Sequence, residues 1–239
     1  MKIGIIGAME QEIQILRGQL SHCKQQLIGG SEFITGVMGA THIVLVLSHQ
    51  GKANAAMAAT ILLQVFRPDY VINTGSAGGM QADCHVGDIT VPDVLTYHDA
   101  DARALGFELG QIPYMPKEYF PCKTLIRAVM QAAAEHPDLC MRHGLHTTGD
   151  SFMAGEAQLA TLRANFPDMM SVDMEATAIA QVCTHFDVPF VVIRALSDIV
   201  GQDNHVDFHA FLPLASHNSS LLVTSFIRVL EKAASKAIA

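Results

Sequence analysis

Short runs of β-branched and other apolar residues alternate along the chain with longer segments rich in alanine, leucine and methionine. A short run that is apolar on both faces is typical of a buried strand, whereas the longer segments have the composition of helices. Residues 75–79 are predicted to form a tight loop, and residues 93–119 a long loop-like segment. The predicted strands are residues 2–7, 41–48, 69–74, 86–91, 141–148, 169–172 and 189–197. The predicted helices are residues 9–20, 51–66, 124–135, 156–165, 175–185 and 214–236.

The alternation of strands and helices predicts an α/β fold. Its sheet should be parallel or mixed, with helices covering both faces. We find no linker, internal repeat or low-complexity segment. The sequence therefore predicts one three-layer αβα domain over residues 1–239.

Composition narrows the classes of function. Half of the residues are hydrophobic, and the net charge is −8, with 15 basic and 23 acidic residues. This balance argues against nucleic acid or an anionic membrane surface as the main partner. No apolar run approaches the roughly 20 residues that span a bilayer, and the apolar start of the chain is too short for a signal peptide. The five cysteines include no CxxC pair, so we expect reduced thiols and a cytoplasmic protein.

Two segments near the amino terminus carry candidate chemistry. Glu10 and Glu12 open the first predicted helix, where a carboxylate either does chemistry or simply stabilises the helix dipole. Residues 73–79 (Asn-Thr-Gly-Ser-Ala-Gly-Gly) follow a predicted strand. Glycines at the carboxyl end of a strand allow a ligand to approach the backbone, although a tight turn also explains them. No Gly-Lys-Ser/Thr follows, which excludes a P-loop.

Two later segments deliver acidic residues where a predicted strand ends. Asp173 precedes the helix predicted to begin at Glu175. Asp173 can cap that helix, and Glu175 can accept hydrogen bonds from a pair of hydroxyls. Arg194, Ser197 and Asp198 end the strand that begins at residue 189. Burial would raise the pKa of Asp198 and suit it to general acid catalysis, whereas the alternative is another helix cap. We expect no metal and no cofactor.

Five segments together, in this order, resemble the bacterial 5′-methylthioadenosine/S-adenosylhomocysteine nucleosidases of the nucleoside phosphorylase superfamily. The similarity extends from Met1 into the carboxyl-terminal helix. The segments are residues 7–12 (Gly-Ala-Met-Glu-Gln-Glu), 73–79, 148–153 (Thr-Gly-Asp-Ser-Phe-Met), 173–178 (Asp-Met-Glu-Ala-Thr-Ala) and 194–198 (Arg-Ala-Leu-Ser-Asp).

The resemblance implies a mixed, partly closed sheet, a homodimer and hydrolysis of 5′-thio-substituted adenosines to adenine and a thioribose. Such a reaction serves methionine salvage and removal of S-adenosylhomocysteine. Glu12 would deprotonate the attacking water, and Asp198, aided by Ser197, would protonate adenine. The other residues that the resemblance assigns to nucleoside binding are Ser76, Gly78, Phe152, Met153, Met174, Glu175 and Arg194.

Within that set the resemblance separates sugar from base. Glu175 would hold the ribose hydroxyls, with Met174 and Arg194 beside it. Phe152 would stack near the purine, and the Met153 backbone would read its edge. Ser76 and Gly78 would line the pocket, while the loop from Phe107 to Pro113 would reach the 5′ substituent across the dimer interface.

This chain departs from the family pattern at three positions. His49 and Gln50 stand where glycine and an apolar residue are usual, which leaves the preferred 5′ substituent open. Asp173 stands where glutamate is usual, and its unchanged charge predicts little effect.

Two other functions remain as alternatives. A purine nucleoside phosphorylase of the same superfamily would need a phosphate site, normally built from several arginines, yet Arg17 is the only arginine among the first 66 residues. A non-catalytic nucleoside sensor would keep the pocket without needing an acid and a base. Glu12, Glu175 and Asp198 together favour the hydrolase over both.

Overall fold

A computed structural model describes residues 1–201 and 204–238 of the chain. Twelve strands and six α-helices occur in these ranges. The strands are β1 (Lys2–Gly7), β2 (Ser21–Ile28), β3 (Ser31–Met38), β4 (Thr41–Leu47), β5 (Tyr70–Gly79), β6 (Ile89–Thr90), β7 (Val94–Tyr97), β8 (Glu118–Tyr119), β9 (Met141–Arg142), β10 (Leu145–Thr148), β11 (Met169–Asp173) and β12 (Phe190–Ile199). The helices are α1 (Glu10–Gly18), α2 (Lys52–Ile61), α3 (Lys123–Ala133), α4 (Glu156–Asn165), α5 (Ala176–His185) and α6 (Asn204–Ile238).

The strands form one mixed sheet that branches at β5. Its main order is β2-β3-β4-β1-β5-β11-β10-β7-β8, and β12 pairs with β5 from Val71 to Gly79. Strands β1 and β12 run parallel to β5, whereas β11 runs antiparallel to it. The carboxyl ends of β1 and β12 and the second half of β5 therefore meet the end of β11, where most of the candidate residues lie.

Helices cover both faces of the sheet. Alternate residues of each central strand therefore pack into two different hydrophobic cores. Ile3, Ile5 and Ile193 pack with α1, α3 and α6. Ile6 and Val192 pack instead with α2 and α5. Since successive side chains of a strand point to opposite faces, these two clusters are the two interfaces of a three-layer sandwich. The predicted α/β fold with a mixed central sheet is confirmed.

The largest disagreement with the sequence prediction is β5. Residues 75–79 were expected to be a tight loop, but they continue the strand to Gly79. A side chain at position 75 would place its Cβ 2.5 Å from Glu12 Oε1 and 2.8 Å from Arg194 Nη1, at a φ of +141°. The glycine is needed for close approach within a strand, so the tight-loop prediction is wrong.

Other differences concern short or polar strands. The hairpin of β2 and β3 escaped prediction, because every residue from Ser21 to Leu27 is exposed and polar residues dominate β2. The segment 93–119 contains β7 and β8 rather than loop alone. The strand predicted over 86–91 is reduced to β6, and that over 141–148 is divided into β9 and β10.

The last helix is longer than predicted. It was expected to start at residue 214, directly after Pro213, a residue that normally ends or kinks a helix. Instead α6 begins at Asn204 and continues through Pro213. Its first part thereby reaches the end of β12 and contributes to the cavity described next. Among the described helices none is long and apolar enough to cross a membrane.

Candidate active site

A cavity of about 430 Å³ lies where β1, β5, β11 and β12 converge. All but one of the residues predicted for nucleoside binding and catalysis line it; Arg194 is the exception. The predicted residues on the wall are Glu12, Ser76, Gly78, Phe152, Met153, Met174, Glu175, Ser197 and Asp198. The fold therefore brings together five segments that are distant in sequence.

Glu12 is anchored from two elements at once. Its Oε2 accepts hydrogen bonds from the backbone N–H groups of Ala8 and Met9, at 2.8 and 3.1 Å. Its Oε1 accepts from the backbone N–H and the hydroxyl of Ser76, at 2.8 and 2.9 Å. The side chain is only 1% exposed. A residue that served the helix dipole alone would not need these contacts, so the carboxylate is positioned at the cavity wall.

A β-bulge brings Ser197 and Asp198 to the same wall. Leu196 pairs with Ala77 and Asp198 pairs with Gly78, so two residues of β12 oppose one residue of β5. Bulges interrupt the alternation of side chains and occur often beside active sites. Both residues consequently line the cavity, although they are neighbours in a strand. Asp198 is the last residue but one of β12.

Asp198 is almost completely buried and has a hydroxyl at its side. The Ser197 hydroxyl donates to Asp198 Oδ1 at 2.8 Å. A Cβ at Gly78 would lie 2.6 Å from Val200 Cγ2 and 3.4 Å from Asp198 Oδ2. Glycine at this position therefore avoids a clash with Val200 and places no side chain against Asp198 Oδ2.

Arg194 lies behind the cavity rather than on its wall. It is fully buried, and its guanidinium donates to the Ser76 carbonyl at 3.1 Å and to Asn73 Oδ1 at 2.9 Å. Its Nη2 is 2.5 Å from Asp173 Oδ2 and 3.4 Å from Glu175 Oε2. Arg194 thus supports the wall residues from behind. In this position it does not contact a ligand in the cavity.

Asp173 does more than cap α5. Its carboxylate accepts from the backbone N–H of Ala176 at 3.0 Å and from the Thr148 hydroxyl at 2.6 Å. Burial raises the pKa of Asp173, but the charges of Arg194 and His146 outweigh it and hold that pKa far below its usual range. Because both oxygens are engaged, a longer side chain would have to displace one of these contacts.

The pKa of Glu175 is shifted in the opposite direction from that of Asp173. Burial, reinforced by the negative charge of Asp173, raises the pKa of Glu175 to about 8, although Arg194 opposes the shift. Its Oε1 accepts the backbone N–H of Gly51 at 2.8 Å. Two adjacent carboxylates in one buried site thus have opposite protonation preferences, a pattern common in active sites.

Two phenylalanine rings meet on the wall of the cavity. The Phe152 ring is 41% exposed and meets the Phe208 ring edge to face, with centroids 5.7 Å apart. Gln50 also lines the cavity, and its amide donates to the Met9 sulfur at 3.4 Å. Phe208 and His209 were missed by the sequence prediction, because α6 was expected to begin after them.

Phe107 and Pro113 do not line this cavity. The Phe107 ring packs edge to face on Tyr114, with centroids 5.2 Å apart, and Tyr114 is 88% exposed. Leu105 in the same segment is 74% exposed. The segment therefore presents apolar side chains outward, away from the chain's own cavity.

Comparison with known proteins places this geometry in a family. The model of the phosphorylase superfamily matches residues 2–228. The 5′-methylthioadenosine/S-adenosylhomocysteine nucleosidase of Geobacillus sp. (strain WCH70) is 47% identical over 232 residues, covering 97% of this chain and 100% of the relative. The corresponding protein of Anoxybacillus flavithermus is also 47% identical, with the same coverage.

Solved structures give the same result. The nucleosidase of Neisseria meningitidis, in complex with methylthio-immucillin-A, superposes with a TM-score of 0.92 at 37% identity, covering 95% of this chain and 98% of that one. The nucleosidase of Colwellia psychrerythraea, in complex with adenine, superposes with a TM-score of 0.93 at 44% identity, covering 96% of each chain.

Proposed function

Because the chain belongs to the phosphorylase superfamily and, within it, to the 5′-methylthioadenosine/S-adenosylhomocysteine nucleosidases, we propose that it hydrolyses the N-glycosidic bond of 5′-thio-substituted adenosines. The observation that carries the proposal is the convergence of Glu12, Glu175 and Asp198 on one cavity. Cleavage would release adenine and a thioribose, as part of methionine salvage and removal of S-adenosylhomocysteine.

The three carboxyl groups meet three separate demands of the reaction. Breaking the bond at C1′ leaves positive charge on the sugar and negative charge on the departing adenine. Asp198, with Ser197 beside it, would protonate the base as a general acid, and Glu12 would take a proton from the attacking water. Glu175, in its ionised form, would accept hydrogen bonds from the ribose hydroxyls and stabilise positive charge on the sugar.

The anchoring of Glu12 supports its assignment as the base. Four donors hold the carboxylate in one orientation. A catalytic group held in place loses no orientational freedom when the substrate binds. The glycine at position 75 preserves this arrangement, because any side chain there would collide with Glu12 and Arg194.

The lining of the cavity disfavours a phosphorylase. No arginine or lysine is present among the described residues of the wall, whereas Glu12, Asp173, Glu175 and Asp198 all reach it. A phosphate ion would meet negative charge with no arginine or lysine among these wall residues to balance it. Arg194 cannot take that part, since it is fully buried and already paired with Asp173.

The 5′ substituent would lie near Gln50, which reaches the cavity beside Met9. Its amide adds a polar group to a mostly apolar part of the wall. We propose methylthioadenosine, S-adenosylhomocysteine and 5′-deoxyadenosine as substrates. Their kcat/KM values in wild type and in Gln50→Leu show how far Gln50 sets the preference among them.

We extend the proposal to a cytoplasmic homodimer. The outward apolar side chains around Phe107 and Pro113 fit a second copy of the chain, whose cavity they would approach at the 5′ end. The free thiols of the described cysteines agree with a reducing compartment. Sedimentation analysis tests the oligomer, and a monomer at micromolar concentration with full activity would contradict it.

Release of adenine tests the proposal directly. Purified protein incubated with methylthioadenosine should produce adenine, detected by chromatography, without any added cofactor. A protein that binds the nucleoside but releases no adenine from any of the three substrates would be a sensor, and the proposed function would then be wrong.

A further inference from the structure

A buried histidine lies against Asp173 and has no part in the chemistry described above. His146 belongs to β10 and is completely buried. Its Nδ1 lies 2.8 Å from the Ser171 hydroxyl oxygen. Its Nε2 lies 3.0 Å from Asp173 Oδ1, at ion-pair distance but off the line of a regular hydrogen bond. The ring is therefore held between a hydroxyl and a carboxylate in the protein interior.

The partners determine which way the ring presents its proton. A carboxylate only accepts, so the Nε2 atom that faces Asp173 must carry a hydrogen. The Ser171 hydroxyl can donate to Nδ1 or accept from it, and its oxygen lies 3.3 Å from Thr90 Oγ1. Ser171 thus orients the ring in either case and directs Nε2–H to Asp173.

Asp173 connects His146 to the cavity wall through Arg194. Its other oxygen, Oδ2, is 2.5 Å from Arg194 Nη2, and the same nitrogen is 3.4 Å from Glu175 Oε2. A continuous buried network of polar contacts therefore links His146, Asp173, Arg194 and Glu175. Groups in such a network are strongly coupled, because little water is present to screen their charges.

We propose that His146 is a positioning residue for the ribose site. Together with the Thr148 hydroxyl, it holds one oxygen of Asp173, directs the other toward Arg194 and thereby sets the orientation and the charge of Glu175. This inference rests on the proposed function, in which Glu175 accepts the ribose hydroxyls. It concerns binding of the sugar more than the proton transfers at Glu12 and Asp198.

The surrounding charges indicate the direction of the effect. Glu175 faces Asp173 on β11, Arg194 on β12 and Glu12 on α1, while His98, after β7, acts on Asp173 and His146. Without the Nε2–H donor of His146, Asp173 would interact more strongly with Arg194, which would then compensate the charge of Glu175 less. Glu175 would then ionise at higher pH, and the acidic limb of kcat/KM would move upward.

Three substitutions of His146 separate positioning from packing. His146→Leu fills the space without a donor. A glutamine amide reaches about as far as Nε2 and can donate to Asp173, whereas an asparagine amide reaches only as far as Nδ1 and Ser171. We expect His146→Gln to behave like wild type. His146→Asn and His146→Leu should raise KM about tenfold, the size of a coupling within one charged network, with kcat nearly unchanged.

A second background shows whether the effect passes through Asp173. When Asp173 has already been replaced in Asp173→Asn, the additional substitution His146→Leu should change KM little. It should also no longer move the acidic limb of the kcat/KM profile upward. Equal KM values and pH profiles for the Gln and Asn variants would overturn the inference. A full additional loss in the Asp173→Asn background would do the same. Adenine release by wild type tests the proposed function separately, so the two failures are distinguishable.

Discussion

Ser76 holds Glu12 through two hydrogen bonds to one oxygen, from its backbone N–H at 2.8 Å and its hydroxyl at 2.9 Å. The two residues lie on β5 and α1, so the catalytic geometry depends on how a strand and a helix pack together. The Arg194 guanidinium donates to the carbonyl of the same serine at 3.1 Å. One residue of β5 thus joins the proposed water-activating carboxylate to the charged network beneath the proposed ribose site.

Replacement of Glu12 tests the assignment of the general base. Glu12→Gln keeps the size of the side chain, but the amide cannot take a proton from water and turns an N–H₂ group toward existing donors. We expect kcat to fall about 10²–10⁴-fold, the usual contribution of general acid–base catalysis. Glu10→Gln is the matched control, because Glu10 lies in the same helical turn but its carboxylate is exposed and paired with Arg17.

A normal rate for Glu12→Gln would remove Glu12 from the mechanism. An equal loss in Glu10→Gln would mean that the helix, rather than the carboxylate, had been disturbed. Circular dichroism of both variants distinguishes these outcomes.

Asp198→Asn should separate binding from turnover. The amide keeps a contact with Ser197 but cannot protonate the base, so release of adenine should nearly stop. Binding of an adenine-containing inhibitor, measured by calorimetry, should remain detectable because the cavity keeps its shape. Asp168→Asn at the surface should change neither quantity, and normal turnover by Asp198→Asn would contradict the proton-donor assignment.

Gly75→Ala tests the close approach within β5. The new methyl group would lie 2.5 Å from Glu12 Oε1, at a φ of +141° that L-residues rarely adopt. We expect a loss of roughly 1–3 kcal/mol in unfolding free energy from the backbone alone, together with a large loss of activity. In Gly18→Ala the added Cβ would meet no atom within 4 Å, so this variant should resemble wild type. Equal behaviour of the two variants in denaturant titration would contradict the assignment.

Glu175 should make stability depend on pH. Its pKa rises from about 4.5 in the unfolded chain to about 8 in the folded protein. A raised carboxyl pKa gives stability that is complete below the unfolded value and is lost as pH increases through the folded value. The Tm of Glu175→Gln, relative to wild type, should therefore increase between pH 5 and pH 9. A constant difference across this range would show that Glu175 does not titrate as described, and Glu10→Gln is the control.

Much of this fold could be predicted because its strands and helices differ strongly in pattern. Apolar runs such as residues 2–7 and 189–197 identified the central strands, and the five segments that carry the resemblance converge on one cavity. Glycine misled the prediction at residues 75–79. A glycine indicates that a side chain is not tolerated at its position. It does not indicate whether the reason is a tight turn or a neighbouring carboxylate.

The parts that escaped prediction depend on partners distant in sequence. Nothing near His146 in the sequence indicates that β11 carries its two partners, Ser171 and Asp173. Likewise, Arg194 lies on the expected strand, yet pairing with Asp173 holds it behind the cavity wall. Phe208 was missed because α6 begins at Asn204, ten residues before the predicted start.

The dependence of the reaction on phosphate tests the central claim most directly. Methylthioadenosine should be cleaved at the same rate in phosphate-free buffer and in millimolar phosphate, with the sugar recovered as free methylthioribose by mass spectrometry. The acidic cavity wall, with its cation buried behind Asp173, predicts this result. Strict dependence on phosphate, with the sugar recovered as its 1-phosphate, would contradict the account and identify a phosphorylase.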